Sequence, residues 1–308
     1  MKDSIRILEY TVPAGEEGLS VRDIMKTVLG LSTKEIARCK HFEDGVLLKR
    51  DGGDFSFSRV IEKVKAGDQL KISIHEDNDN SSEIIPAEGS LDIVYEDEDL
   101  ILINKPGDVV VHPSYAHYKD SLSNILAGYY EKTGQQHVIR VVGRLDRETS
   151  GLIIFAKNRH SAALLSDQTR NMSRRKEYLA LCSGVFEETE GTVDAPIAEI
   201  PGQRMIREVR EDGKEAVTHY RVEQQFEDYA LVRLHLDTGR THQIRVHMKY
   251  IGHPLLGDGL YGTEITDHHE MKRTALHAAH LEFKQPISGK ELIFDADLPE
   301  DMAARLPS

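Results

Sequence analysis

A polar loop, Gly143-Arg144-Leu145-Asp146-Arg147-Glu148-Thr149-Ser150-Gly151, separates an apolar run that ends at Val142 from another that runs through Leu152, Ile153, Ile154 and Phe155. Short apolar runs bounded by turn residues read as strands, so the loop lies at the rim of a core, where one carboxylate can be held rigidly. Asp146 has Arg144 and Arg147 beside it. Such cations offset the cost of partly burying a carboxylate and favour its ionised form. A positioned, ionised aspartate can serve as a nucleophile or a general base. On this stretch alone, a charged turn that merely closes a hairpin explains the residues equally well.

The 308 residues are enough for one substantial core plus a smaller unit. No long uncharged apolar run predicts a membrane span, and the N-terminus lacks the apolar block of a signal peptide. Cys39 and Cys182 lie too far apart in the chain to suggest a disulfide framework or a four-cysteine metal site. That usage suits a reducing compartment, so a cytoplasmic location is expected. The formal net charge of -13 argues against a protein coated in non-specific affinity for nucleic acid. Between Arg144 and Lys176, however, eight Lys/Arg stand against three Asp/Glu. A positive face on a negative body is the footprint of a selective polyanion binder, although a solvated charged helix and loop has the same composition.

Residues 1–80 read as a small unit of their own. Strands are expected near Ile5–Leu8, Gly45–Leu48 and Gln69–Ile74, and Ser20 and Ser32 are candidate caps of two short helices. Polar residues around 81–90 read as a linker, and residues 91–308 as the main domain. There, Leu91–Tyr95 and Leu100–Asn104 predict a hairpin, Ser121 a helix closed by Gly134, and Arg159–Met172 an amphipathic helix that runs into Arg174-Arg175-Lys176. Tyr178 opens the next strand and is a core aromatic by default. It gains interest if its ring faces Asp146, where it could stack on a base. Strands are expected again at Thr218–Val222 and Tyr229–Leu236. After them, Gly239-Arg240-Thr241-His242-Gln243-Ile244-Arg245-Val246-His247 predicts a tight turn and a helix capped by Thr241. His242, His247 and His253 have no spacing suited to a metal, and the loop Gly257–Gly262 lacks the Lys-Ser/Thr ending of a phosphate loop.

Three motifs occur together: Asn104-Lys105-Pro106-Gly107 with His112-Pro113, the Arg144-Leu145-Asp146 stretch, and Arg240-Thr241-His242-Gln243-Ile244-Arg245. In combination they closely resemble the RluA-type RNA pseudouridine synthases over roughly residues 90–300. The N-terminal unit loosely resembles an S4-type RNA-binding domain. Over residues 1–90 it carries 13 Lys/Arg and 17 Asp/Glu, so a role in orienting RNA fits as well as binding it.

The resemblance implies an α+β fold: a mixed, largely antiparallel twisted sheet with flanking helices, preceded by the S4-like unit. It also implies isomerisation of uridine to pseudouridine in structured ribosomal or transfer RNA, with no metal and no cofactor. Asp146 matches the catalytic aspartate, Tyr178 the tyrosine against the base, and Arg245 the arginine paired with the aspartate. Ile244 matches an apolar pocket residue, and Arg144 the arginine that fills the space left by the flipped nucleotide. The sequence departs from the family pattern at Gly143, where histidine is frequent, and at Gly107-Asp108-Val109. Arg240, Lys105, Lys157, Arg174 and Lys176 are further candidates for RNA contacts, and a monomer is expected.

The chemistry itself needs little more. Breaking the C1′–N1 bond and joining uracil C5 to C1′ requires one fixed carboxylate, either to attack C1′ or to take the 2′ proton, and no redox group. The base must leave its stack to be reached. A noncatalytic RNA-binding protein would have no use for a buried carboxylate near phosphates. A hydrolase acting on a nucleotide or sugar would want a second carboxylate or a metal, and none stands out within the motifs.

Overall fold

The computed structural model describes residues 5–76, 84–171, 173–262 and 271–306. The N-terminal unit is a sheet of β1 (Ile5–Thr11), β2 (Val46–Lys49), β3 (Ser56–Phe57) and β4 (Gln69–His75), in the order β1-β4-β2-β3 with antiparallel neighbours. Against it pack α1 (Val21–Asp23) and α2 (Thr33–Cys39). Both helices start with a complete capping box, Ser20 with Asp23 and Ser32 with Glu35, so the short Asp23 side chain suffices. The first helix does not continue as a regular α-helix. Residues Ile24–Val28 widen into a π-helical turn, and Gly30 ends it.

Ion pairs fasten this unit to the rest of the chain. Arg6 donates to both oxygens of Asp99 (2.8 and 3.1 Å), and Glu76 pairs with Arg140 (2.7 Å) while accepting the Arg159 backbone N–H (2.6 Å). His160, fully buried, lies between a Glu35 carboxylate oxygen (3.0 Å) and the Leu29 carbonyl (2.9 Å). Residues 77–83, which include part of the expected linker, lie outside the described residues. From Ile84 onward the chain is already docked, since Asn124 donates to the Ile85 carbonyl (2.7 Å).

The main domain is built on one large sheet. Its strands are β5 (Ile93–Glu96), β6 (Leu100–Lys105), β7 (Arg140–Val142), β8 (Ser150–Ala156), β9 (Arg175–Ser183), β10 (Glu190–Asp194), β13 (Val217–Gln225), β14 (Tyr229–Leu236), β15 (Leu276–Lys284) and β16 (Glu291–Asp295). β11 (Ile197–Ile200) and β12 (Gln203–Val209) form a separate hairpin. The order β10-β13-β14-β9-β15-β8-β6-β5 is antiparallel except for β8 with β15, and β7 and β16 pair with β8 and β15. The helices are α3 (Leu122–Thr133), α4 (Arg159–Arg170), α5 (Gln243–Tyr250) and α6 (Glu300–Ala303). The fold is thus the expected α+β arrangement.

Alternation along β6 and β8 explains why both strands read as continuous apolar runs. Ile101, Ile103, Ile153 and Phe155 meet Leu122, Leu126 and Tyr130 of α3 and Ile244 and Met248 of α5. Leu100, Leu102, Leu152 and Ile154 meet Leu165 of α4 in a second core. Both faces of the central sheet are therefore covered, and the candidate site forms where loops leave its rim.

The parallel β8–β15 pair sets one absolute requirement in the motif. Gly151 has φ +106°, and a Cβ there would sit 2.3 Å from the Ala278 carbonyl oxygen. Gly151→Ala should lower the unfolding free energy by about 3 kcal/mol or more in urea titrations. A loss below about 1 kcal/mol would contradict this account of the glycine.

Candidate active site

The loop joining β7 to β8 is held from several sides so that one carboxylate is left over. Gly143 begins it at φ +92°, a left-handed conformation that strains other side chains, and Arg174 Nη2 lies 3.3 Å from the position a Cβ would take. The glycine therefore has a local cause. Leu145 is buried in the core, and the Thr149 N–H donates to the Asp146 carbonyl (3.2 Å). The Glu148 carboxylate accepts the Thr274 N–H (3.0 Å) and hydroxyl (2.5 Å). The Glu148 carbonyl accepts from Arg273 (2.8 Å), which Asp301 of α6 grips through two bonds of 2.7 and 2.9 Å.

Lys105, at the end of β6, belongs to the same scaffold. It is buried, and its ammonium donates to the carbonyls of Pro106 (2.8 Å), Val109 (2.8 Å) and Arg147 (2.9 Å). Burial first, then the nearby Arg273 charge, pushes it down to about 7. Three carbonyls that need all three protons oppose loss of one. Lys105 thus organises the Asp146 loop, and the RNA contact expected of it is not what its surroundings provide.

Asp146 opens onto a cleft of about 590 Å³. The walls are the loop itself, the start of β9 with Arg174, Arg175, Lys176 and Tyr178, and the segment from His235 to Arg245. Arg144, Arg174, Arg175, Lys176, Arg240 and Arg245 thus face Asp146 and Asp237, so the cleft is cationic although the chain is acidic. Asp146, Tyr178, Arg245, Arg144, Ile244, Arg240, Arg174 and Lys176 are brought together here. Lys157 is not: it is buried and bonded to Glu96 (2.6 Å) and Gln135 (3.0 Å). Its neighbour Arg159 is likewise turned towards Glu76 of the N-terminal unit.

Around Tyr178 the cleft combines an aromatic face with charge. The ring is buried, with Lys176 Nζ 5.2 Å from its centroid. Burial, and secondarily the Asp146 charge, pushes its hydroxyl up to about 12, so it stays protonated at neutral pH. Burial also pulls Lys176 down to about 7, aided by Arg174 and Lys105. Arg240 is fixed through Nε to the Glu215 carbonyl (2.8 Å), and Arg174 reaches the Val142 carbonyl (3.4 Å).

The opposite wall departs from expectation in two ways. Thr241 does not cap α5. His242 occupies the cap at φ 58°, ψ 20° and makes no capping bond, while buried Gln243 ties the turn to β13 through the Val217 carbonyl (2.9 Å). Arg245 pairs with Asp146 only at ion-pair distance and gives its hydrogen bonds elsewhere. Its Nε and Nη2 donate to Asp258 at 2.7 and 2.6 Å, and Nη1 stops 3.9 Å from Asp146 Oδ2. A buried guanidinium needs a buried counter-charge, and Asp258 supplies it. Asp258 also accepts the N–H groups of Leu260 and Tyr261 (3.0 Å each), so the glycine-rich loop exists to present it.

Sequence reasoning missed three residues of this wall: Asp258, Tyr261 and His242. The first two sit in the glycine-rich loop Gly257–Gly262, which the sequence marks only as lacking a phosphate-loop ending, although an aspartate between glycines, three residues before a tyrosine, is a usable signal. Tyr261 is buried, carries Arg245 over its ring at 5.0 Å, and bonds His242 Nδ1 (2.9 Å). His242 Nε2 lies 3.9 Å from Asp146 Oδ2. Burial first, with Arg245 and Arg207, lowers this histidine below its ordinary value. Among the described residues, no three His, Cys, Asp or Glu side chains gather into a metal-binding group.

A carboxylate held on a rigid loop inside a cationic cleft suits nucleophilic or acid–base chemistry on a polyanion. Comparison with known proteins narrows the class. The sequence pattern of the family described as RNA pseudouridylate synthase matches residues 99–250. The uncharacterized RNA pseudouridine synthase YjbO of Bacillus subtilis (strain 168) is 41% identical over 261 residues, 83% of this chain and 90% of that protein. Ribosomal large subunit pseudouridine synthase D of Escherichia coli (strain K12) is 40% identical over 252 residues, 78% and 76% of the two chains. The solved structure of human RNA Pseudouridylate Synthase Domain Containing 1 superposes with a TM-score of 0.58 at 26% identity, covering 68% of this chain and 86% of that one. The chain belongs to the RNA pseudouridine synthase family, and is thus an enzyme that isomerises uridine in RNA.

Proposed function

We propose that this chain is a pseudouridine synthase of the RluA type, an intramolecular transferase acting on structured RNA, with ribosomal RNA of the large subunit as the first candidate and transfer RNA the next. The relatives named for the large subunit favour that order. One observation carries the reading of the site. Asp146 is the carboxylate that the scaffold leaves open to the cleft, with Tyr178 and Arg245 in the same walls. Asp146 attacks C1′ or takes the 2′ proton, Tyr178 packs against the flipped uracil, and Ile244 closes the apolar side of the pocket. Arg245, fixed by its two bonds to Asp258, brings a positive charge to 3.9 Å from Asp146 without occupying its oxygens.

Arg144 fills the space that the nucleotide leaves, and Arg174, Lys176 and Arg240 hold flanking phosphates. The N-terminal unit, S4-like in its helices and strands, orients the RNA. The protein works as a cytoplasmic monomer. Mapping pseudouridines in total RNA from cells with the gene, without it, and with only the Asp146→Asn allele tests this directly. A site lost in the second and third strains identifies the target. An unchanged map in the deletion strain would refute the assignment.

Placement in the cleft also separates the cations. Arg174→Gln and Arg144→Gln should each weaken RNA binding and reduce the slope of log K against log salt by about 0.7–0.9. Lys157→Gln should leave that slope unchanged, because Lys157 is buried against Glu96. Filter-binding titrations across a salt series read both. A reduced slope for Lys157→Gln would place that residue at the interface after all.

A further inference from the structure

His242 faces Asp146 and has no role in the reading above. Its protonation can be deduced from its partners. Tyr261 is 1% exposed, and its hydroxyl oxygen accepts the Arg207 backbone N–H at 2.9 Å. A buried O–H needs an acceptor of its own, and among the described residues His242 Nδ1, at 2.9 Å, is the one in reach. Nδ1 therefore carries a lone pair, and the proton of the neutral ring sits on Nε2. The left-handed backbone of His242 (φ 58°) aims that nitrogen back at the Asp146 loop, 3.9 Å from Oδ2.

Arg245 Nη1 approaches the same oxygen, also at 3.9 Å. Among the described residues no donor is placed on Oδ1. The two oxygens of the carboxylate are thus unequal before RNA arrives. We propose that His242, fixed as its Nε2–H tautomer by Tyr261, is a positioning residue that holds Asp146 through Oδ2 and leaves Oδ1 to meet the ribose. The gap of 3.9 Å closes to a hydrogen bond when RNA fills the cleft, as such contacts tighten in the substrate complex. The inference rests on the reading of Asp146 as the reacting carboxylate.

Two substitutions divide the ring in half. Asn at 242 suits the left-handed backbone and can still meet Tyr261, but it ends short of Asp146. Gln reaches as far as Nε2 and offers an N–H there. In the full chain, His242→Asn should lower kcat about tenfold or more with RNA affinity unchanged, and His242→Gln should recover most of that loss. Imidazole ¹⁵N shifts of the wild type, with the His242 signal assigned by its absence in His242→Gln, should show Nδ1 unprotonated and Nε2 protonated at neutral pH. Tyr261→Phe should erase that preference.

A His242 ring protonated on Nδ1 overturns the proposal, as does a His242→Asn enzyme with wild-type kcat, or one that loses only RNA affinity. The failure of the underlying reading looks different. Activity in Asp146→Asn removes the role of Asp146 itself, whatever the tautomer of His242.

Discussion

Asp146→Asn should abolish pseudouridine formation, lowering kcat by at least ~10³-fold, while RNA affinity stays within about twofold of the wild type. The amide matches the carboxylate in size but is neither a nucleophile nor a base at neutral pH. The fold should not notice. Arg245 keeps its bonds to Asp258, so no buried charge is stranded, and the loop is still pinned by Lys105, Thr274 and Arg273. Binding should hold because the change removes a negative charge from a cleft lined by Arg144, Arg174 and Arg175. Conversion of a labelled RNA, measured beside a binding titration at the same salt, separates the two effects. Wild-type turnover by the amide would end the assignment of Asp146. Weakened binding with normal turnover would recast it as a contact residue.

The same loop shows what a sequence can disclose. Arg144, Leu145, Asp146 and Gly151 each stand where a local physical demand meets a functional one, so their types betray their roles. Gly151 is required by a backbone only 2.3 Å from its absent Cβ, and Leu145 anchors the turn from below. The apolar run that follows the loop was legible because β8 is buried along its length, with Ile153 and Phe155 in one core and Leu152 and Ile154 in the other. Capping boxes at Ser20 and Ser32 were legible for a similar reason, since each is a contact across three residues.

Lys157 and Lys105 show where that legibility ends. A lysine near a basic cluster suggests phosphate, but charge in a sequence says nothing about the side of the sheet on which it falls. Lys157 follows strand β8 directly and turns inward to Glu96, 61 residues earlier in the chain. Lys105 is consumed by three carbonyls. Arg245 shows the limit most clearly. Its place on α5 and its nearness to Asp146 are legible, but its hydrogen-bonded partner Asp258 is not, because that pairing depends on how the glycine-rich loop folds back. A contact across 13 residues through an irregular loop has no periodicity to announce it.

Asp258 is accordingly the residue whose loss should damage the fold most among the polar residues of the site. In Asp258→Ala the guanidinium of Arg245, whose side chain is 5% exposed, loses a two-pronged partner, and the Leu260 and Tyr261 N–H groups lose theirs. Breaking one side of a buried pair costs about 3–5 kcal/mol, which for a chain of this size lowers the melting temperature by roughly 10 °C. Turnover should fall at least about tenfold even where the variant is fully folded, because a freed Arg245 can swing onto Asp146 and occupy the oxygens that must react. The double variant Arg245→Met with Asp258→Leu separates stability from catalysis. Apolar side chains of similar volume remove both buried charges together, so stability should return to within about 2 kcal/mol of the wild type. Activity should not return, since Asp146 then lacks the cation 3.9 Å away. Thermal unfolding and single-turnover rates on the three proteins decide the matter. A stable double variant that still forms pseudouridine would show that Arg245 serves the fold alone.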